Sequence, residues 1–150
     1  MEVHGDDPVC FELLLCFLYT HKWDLNIINK KEPDSSSALS SRFMNPIVVH
    51  AIADKHDVPA LRECAVEQFP GDEVCGKKLR GLTMKQAELM VKAHYSRCVE
   101  VNSALGRLIC GYVVRTGMVQ DARFLTLAEE YPQLANDVFW AAYVGGGSLW

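Results

Sequence analysis

The strongest constraint on this chain is an apolar run near its start, PVCFELLLCFLYTHKW (Pro8 to Trp23), that is too short to cross a bilayer and too oily to face water. Asp7 can accept hydrogen bonds from the open amides of a first helical turn. Pro8 fits the next position because no donor is needed there, so a helix is predicted from about Pro8. Phe11, Leu14, Leu15 and Leu18 fall at three- and four-residue steps. Leu13 and Phe17 widen the apolar arc until only Glu12 and the two ends look wet, which predicts a helix almost surrounded by protein. Tyr19, Thr20, His21 and Lys22 break the pattern, and Trp23-Asp24-Leu25-Asn26-Ile27 alternates as a short edge strand would.

A second apolar block, IVVHAIADKHDVPALRECAVEQF (Ile47 to Phe69), follows a polar gap. Asn45 is placed to cap a helix whose first turn holds Pro46, and the charges of Asp54-Lys55-His56-Asp57 end it. Pro59 disfavours helical geometry at Val58, so a new helix is predicted to start there, with Leu61, Ala65 and Phe69 inward and Arg62, Glu63 and Glu67 outward. The expected product is a tight helical hairpin. Neither block holds an obvious reacting group, which suits the buried helices of an interaction scaffold.

The gap itself, residues 29–42, is rich in serine and poor in apolar surface, and is expected to be a mobile loop. Phosphorylation among Ser35, Ser36 and Ser37 is the functional alternative. Pro70-Gly71-Asp72 and Gly76 mark a further break. Beyond it, Thr83-Met84-Lys85-Gln86 has the spacing of a capping box, with Ala87, Met90, Val91 and His94 on one helical side. A helix over Val101 to Arg115 is predicted despite Gly106 and Gly111, each of which costs roughly 1 kcal/mol relative to alanine, so close packing of another element is expected at them. Phe124 to Glu129 and Leu134 to Tyr143 make a last pair, divided at Tyr131-Pro132 and stopped by Gly145-Gly146-Gly147. The fold class expected is mainly α, with at most a short edge strand.

Two ordered motifs carry a resemblance. Asp6-Asp7-Pro8, Phe11-Glu12-Leu13-Leu14 and Phe17-Leu18-Tyr19-Thr20, followed by Ala51-Ile52-Ala53-Asp54-Lys55-His56-Asp57-Val58-Pro59-Ala60-Leu61, resemble the second half of a BTB/POZ domain of the fungal type. FELLLCFLYT and AIADKHDVPAL correspond in order and type to that family's "DP..FE.LL.YLYT" and "ALADKYD.P.L". The likeness covers residues 5 to 69; FLTLAEEYPQLANDVFWAAY (Phe124 to Tyr143) is similar to the helical tail of fungal members, and residues 70 to 123 match loosely. It implies a partial BTB/POZ domain over 1–70, a linker over 71–82 and a helical C-terminal extension over 83–144. Such a domain belongs to an α+β fold and begins with a helix and most of a small sheet, which do not precede Met1, so a truncated member or an incomplete gene product is expected. Much of the family's dimer interface and its acidic cullin-contact motif lie in or near that missing part, so neither carries over residue by residue.

The resemblance implies a non-enzymatic protein–protein interaction module: a substrate adaptor of a cullin-type ubiquitin ligase, or a scaffold in transcriptional or signalling assemblies. The partner expected is another protein, a second copy or a cullin included, and the residues expected to meet it are Phe11, Leu15, Tyr19, Trp23 and Leu25. No catalytic, cofactor-binding or metal-binding residue is predicted. A net charge of -4 argues against direct nucleic-acid binding through phosphates, and Lys77-Lys78-Leu79-Arg80 reads as a solvated loop. The lack of a bilayer-length apolar segment and of a basic leader predicts an intracellular protein of the nucleus or cytoplasm. Cys10, Cys16, Cys64, Cys75, Cys98 and Cys110 have no close pairing and read as reduced core residues. The alternatives are a redox- or metal-responsive protein using Cys64, His94 and Cys98, with His50 or His56 as further ligands, and a truncated product without independent function.

Overall fold

The computed structural model describes residues 8–24, 35–70, 83–98 and 100–144, with the backbone alone at 35–41 and 144. The fold is mainly α, as the sequence predicts; among the described residues there are seven α-helices, one 3-10 turn and no strand. The chain divides between Phe69 and Pro70 into two compact units.

The first unit holds α1 (Pro8–Thr20), α2 (Ser35–Lys55) and α3 (Pro59–Gln68), with α2 packed against both others. Leu13, Leu14 and Phe17 of α1 meet Val49, Ile52 and Ala53 of α2 and Leu61 and Ala65 of α3 in one core cluster. Each of the larger side chains contributes about 1.5–3 kcal/mol by leaving water, so Leu13→Ala, at a fully buried position, is expected to cost about 2–5 kcal/mol. Helix α1 ends where His21 takes a left-handed conformation (φ 53°) and its amide returns to the Phe17 carbonyl at 2.7 Å.

The turn between α2 and α3 is a Schellman motif. Asp57 occupies the left-handed position (φ 51°), its amide bonds to the Asp54 carbonyl at 3.2 Å, and the Val58 amide reaches back to Ala53 at 2.8 Å. Pro59 then opens α3 at a position that needs no donor, and Arg62 closes the hairpin by a 2.6 Å ion pair with Asp54.

Three expectations for this unit are corrected. Asn45 does not cap a helix: α2 starts at Ser35 and runs through Pro46. A proline inside a helix removes one hydrogen bond and crowds the preceding turn, at about 3 kcal/mol. Here Phe43, Pro46 and Ile47 are all buried, so packing on both sides of the proline holds the helix through it. The loop expected over 29–42 is therefore helical in backbone from Ser35 onward, while residues 29–34 lie outside the described residues. Trp23 and Asp24 form no strand, and Leu25, Asn26 and Ile27 are outside the described residues.

The second unit holds α4 (Met84–Tyr95), α5 (Ala104–Arg115), a 3-10 turn (Met118–Gln120), α6 (Ala122–Glu130) and α7 (Pro132–Val144). The most extensive packing is between α5 and α7; α4 lies against both, and α6 against α7. The capping box predicted at the start of α4 is present, with the Gln86 amide donating to Thr83 Oγ1 at 3.3 Å and the Thr83 amide donating to Gln86 Oε1 at 2.9 Å. Helix α5 begins three residues later than the expected Val101. Asn102 is left-handed (φ 61°) and Ser103 is the cap, its Oγ accepting from the Gly106 amide at 3.0 Å. Gly117 (φ 72°) ends α5, and Asp121 caps α6 by accepting from the Arg123 amide at 2.9 Å. The segment expected as a linker, 71–82, lies outside the described residues.

Candidate functional site

Helix α1 has two faces, and only one is covered. The row formed by Cys10, Leu13, Leu14 and Phe17 is in the core cluster or packed on it. On the opposite side Leu15 is 41% exposed, Leu18 48% and Tyr19 86%, beside exposed Glu12. The helix predicted to be nearly surrounded by protein is thus half open. Sequence periodicity places apolar residues on an arc, but the width of arc that neighbours cover is set by how many helices pack there, and within this unit one helix, α2, makes the main contact. Within α1 itself Glu12 is the only charged residue.

Of the residues expected to meet a partner, Leu15 and Tyr19 lie on this face. Leu18, on the same apolar row as Leu15, joins them. Phe11 and Trp23 are partly buried and pack against the core cluster; Phe11 lies 5.8 Å, ring to ring, from His56. The indole Nε1 of Trp23 is buried without an acceptor, a donor that costs about 1–3 kcal/mol to leave unpaired. Leu25 lies outside the described residues.

Among the described residues no group of three His, Cys, Asp or Glu side chains is arranged to hold a metal ion. Cys64 belongs to the first unit and His94 and Cys98 to the second. Burial, with a smaller contribution from the Glu67 carboxylate, raises the pKa of the Cys64 thiol, which disfavours the thiolate that redox chemistry and metal binding both need. The five described cysteines form no disulfide, and Cys75 lies outside the described residues.

The second unit contains a buried polar cluster that the sequence reading did not foresee. Asp137 is fully buried; its Oδ2 accepts from the Tyr95 hydroxyl at 2.7 Å and its Oδ1 from the Asn102 amide at 2.6 Å. The Tyr95 oxygen also lies 3.3 Å from Cys110 Sγ, and Ser103 Oγ lies 3.3 Å from His94 Nε2. All of this closes around Gly106, where an added Cβ would sit 2.8 Å from Asp137 Oδ2, 2.9 Å from Ser103 Oγ and 3.3 Å from His94 Nε2. Close packing expected at the helical glycines is therefore met at Gly106, by side chains of α4 and α7. At Gly111 the nearest atoms belong to Arg115 of the same helix.

Serine, histidine and aspartate at short range invite a catalytic reading, but the chemistry here is that of a clamp. Both carboxylate oxygens of Asp137 accept from Tyr95 and Asn102, Ser103 Oγ caps α5, and all three side chains are buried. Burial, then the adjacent Cys110 and Asp137, drives the Tyr95 phenol pKa far above its usual value. The Cys110 thiol is pushed up to about 12, mainly by burial. Groups held neutral in this way bind helices together and do not exchange protons near neutral pH.

A second exposed apolar patch lies on α7. Phe139, Trp140 and Tyr143 are all exposed and touch one another ring to ring, at centroid distances of 6.1–6.3 Å. Their spacing at i, i+1 and i+4 is the signal in the sequence that they share one side.

No family model, no curated protein and no solved structure matches this chain. Among the described residues no helix is long and apolar enough to cross a membrane.

Proposed function

We propose that this chain is a non-enzymatic protein–protein interaction module whose first unit receives another protein on the outer face of α1. The observation that carries this reading is the exposed row of Leu15, Leu18 and Tyr19 on a helix whose other side is locked into a core. Contiguous apolar side chains on a folded surface lose hydration free energy until something covers them, and an aromatic ring with a polar tip is the side chain most favoured at such contacts. Rigidity supports the reading as well. The buried side of α1 fixes the backbone, so a partner would not have to order the helix on binding.

The finer reading rests on the likeness of FELLLCFLYT and AIADKHDVPAL to the fungal-type BTB/POZ domain. It makes the protein a substrate-recruiting adaptor of a cullin-type ubiquitin ligase, or a scaffold in a transcriptional or signalling assembly, inside the nucleus or cytoplasm. The test is affinity capture with quantitative mass spectrometry, comparing the full chain with its Leu18→Ser/Tyr19→Ser variant. One or a few proteins, cullins among them, held by the parent and lost with the variant support the proposal. Identical captured sets for the two chains overturn it.

A further inference from the structure

We propose that Met84 is a reversible oxidation site, and that its sulfoxide oxygen is received by the Arg123 guanidinium, tying the start of α4 to the start of α6. This inference stands on the second unit and does not depend on the reading of α1.

Access singles out the sulfur. Among the methionines of the described residues, Met90 and Met118 are 1% exposed and Met44 is half-buried, whereas Met84, the first residue of α4, is 36% exposed. A peroxide is the oxidant the step requires. Its O–O bond breaks as one oxygen forms an S–O bond with the thioether; sulfur loses two electrons, and the rest of the peroxide takes up a proton and leaves as water or an alcohol. Buried sulfurs of the core are shielded from that encounter.

A receiver for the new oxygen is already in place. Arg123 Nε and Nη2 donate to the two carboxylate oxygens of Asp121 at 2.8 and 3.0 Å, and Nη2 donates in addition to Met84 Sδ at 3.7 Å. The bonds from Arg123 hold the Asp121 carboxyl down to about 2, so the pair stays ionised at neutral pH and fixes the guanidinium where it is. A thioether sulfur accepts hydrogen bonds weakly, whereas an oxygen facing a charged donor makes one of the stronger kind.

The spacing suits the product. With an S–O bond of about 1.5 Å and an N–H···O separation of about 2.8 Å meeting at about 120°, sulfur and nitrogen stand about 3.8 Å apart. The present separation of 3.7 Å already matches, and rotation about the Cγ–Sδ bond of an exposed side chain brings the oxygen round. Oxidation of a core methionine puts a polar group where apolar packing is needed and loosens the fold. At Met84 the same chemistry adds a bond between two helix starts, so it tightens the second unit.

The test compares the full chain with its Met84→Leu, Met84→Gln and Arg123→Leu variants. Along a hydrogen peroxide series, peptide mapping by mass spectrometry is expected to show sulfoxide at Met84 at least ~10-fold sooner than at Met90 or Met118, and methionine sulfoxide reductase is expected to remove it. Melting followed by far-UV circular dichroism reads the contact. Oxidised parent should melt about 1–4 °C above its reduced form, after subtraction of the change that the same treatment causes in Met84→Leu. Met84→Gln places an amide oxygen near the same point and should give the rise without peroxide. With Arg123→Leu both rises disappear, although Met84 still oxidises. A melting temperature unchanged or lowered by oxidation of Met84 overturns the proposal. A rise that persists without Arg123, or oxidation of Met90 or Met118 ahead of Met84, does so equally.

Discussion

Replacing Asp137 by alanine removes the acceptor on which two helices and a loop converge, and the cost can be worked from the contacts. Two hydrogen bonds to the Asp137 side chain disappear, from the Tyr95 hydroxyl at 2.7 Å and the Asn102 amide at 2.6 Å, and a buried bond lost in this way costs about 1–3 kcal/mol. Part of that is recovered. The Tyr95 hydroxyl keeps Cys110 Sγ at 3.3 Å, Asn102 is an exposed residue whose amide can turn to water, and a buried polar group no longer has to be desolvated. A net loss of about 2–4 kcal/mol remains, a large fraction of the ~5–15 kcal/mol that holds a typical domain folded. For a unit of this size each kcal/mol moves the midpoint by about 4–8 °C, so the second unit should melt roughly 10–30 °C lower. Urea and thermal unfolding followed by far-UV circular dichroism measure it. A double-mutant cycle with Tyr95→Phe should give a coupling of about 1–3 kcal/mol. Destabilisation of less than about 0.5 kcal/mol, the size of an ordinary surface change, would refute the clamp.

Three further outcomes are expected. Gly106→Ala forces a methyl within 3 Å of Asp137 Oδ2 and Ser103 Oγ, neither of which is a flexible chain end, and should cost the second unit about 1–3 kcal/mol by the same unfolding measurements. Asp57→Gly removes the Cβ from a left-handed position in the α2–α3 turn and should stabilise the first unit by about 0.5–1 kcal/mol in urea titrations, whereas Asp57→Val should destabilise it. Alkaline pH should unfold the second unit preferentially: Cys110 is raised from 9.0 to about 12, so the folded state holds its proton more tightly, and the associated stability is complete below pH 9 and lost as pH rises towards 12. A pH series of melting temperatures checks it, and Cys110→Ala should flatten the decline.

Much of the fold was legible because its signals are local. Pro8 and Pro59 each open a helix as their missing donor dictates, and the Thr83–Gln86 box closes between residues three apart. What could not be read depends on distant residues. The start of α5 shifts to Ala104 because Asn102 gives its amide to Asp137, 35 positions along the chain. The passage of α2 through Pro46 needs the burial of Phe43 and Ile47, and the reason for Gly106 is a carboxylate on another helix. Which apolar residues of α1 stay exposed is not written in the sequence: an apolar arc carries no mark of where its cover stops, so Leu15 and Leu18 are exposed while Phe11, on the same row, is partly buried against the core cluster.

The most direct test of the docking surface is photo-crosslinking in cells, with a photoreactive amino acid replacing Tyr19, the most exposed ring on α1, and with an otherwise identical control at exposed Lys85 of the second unit. The account predicts a discrete adduct to another protein from position 19, absent from the control and lost when Leu15 and Leu18 are changed to serine. No adduct from position 19, or the same adducts from both positions, would contradict it.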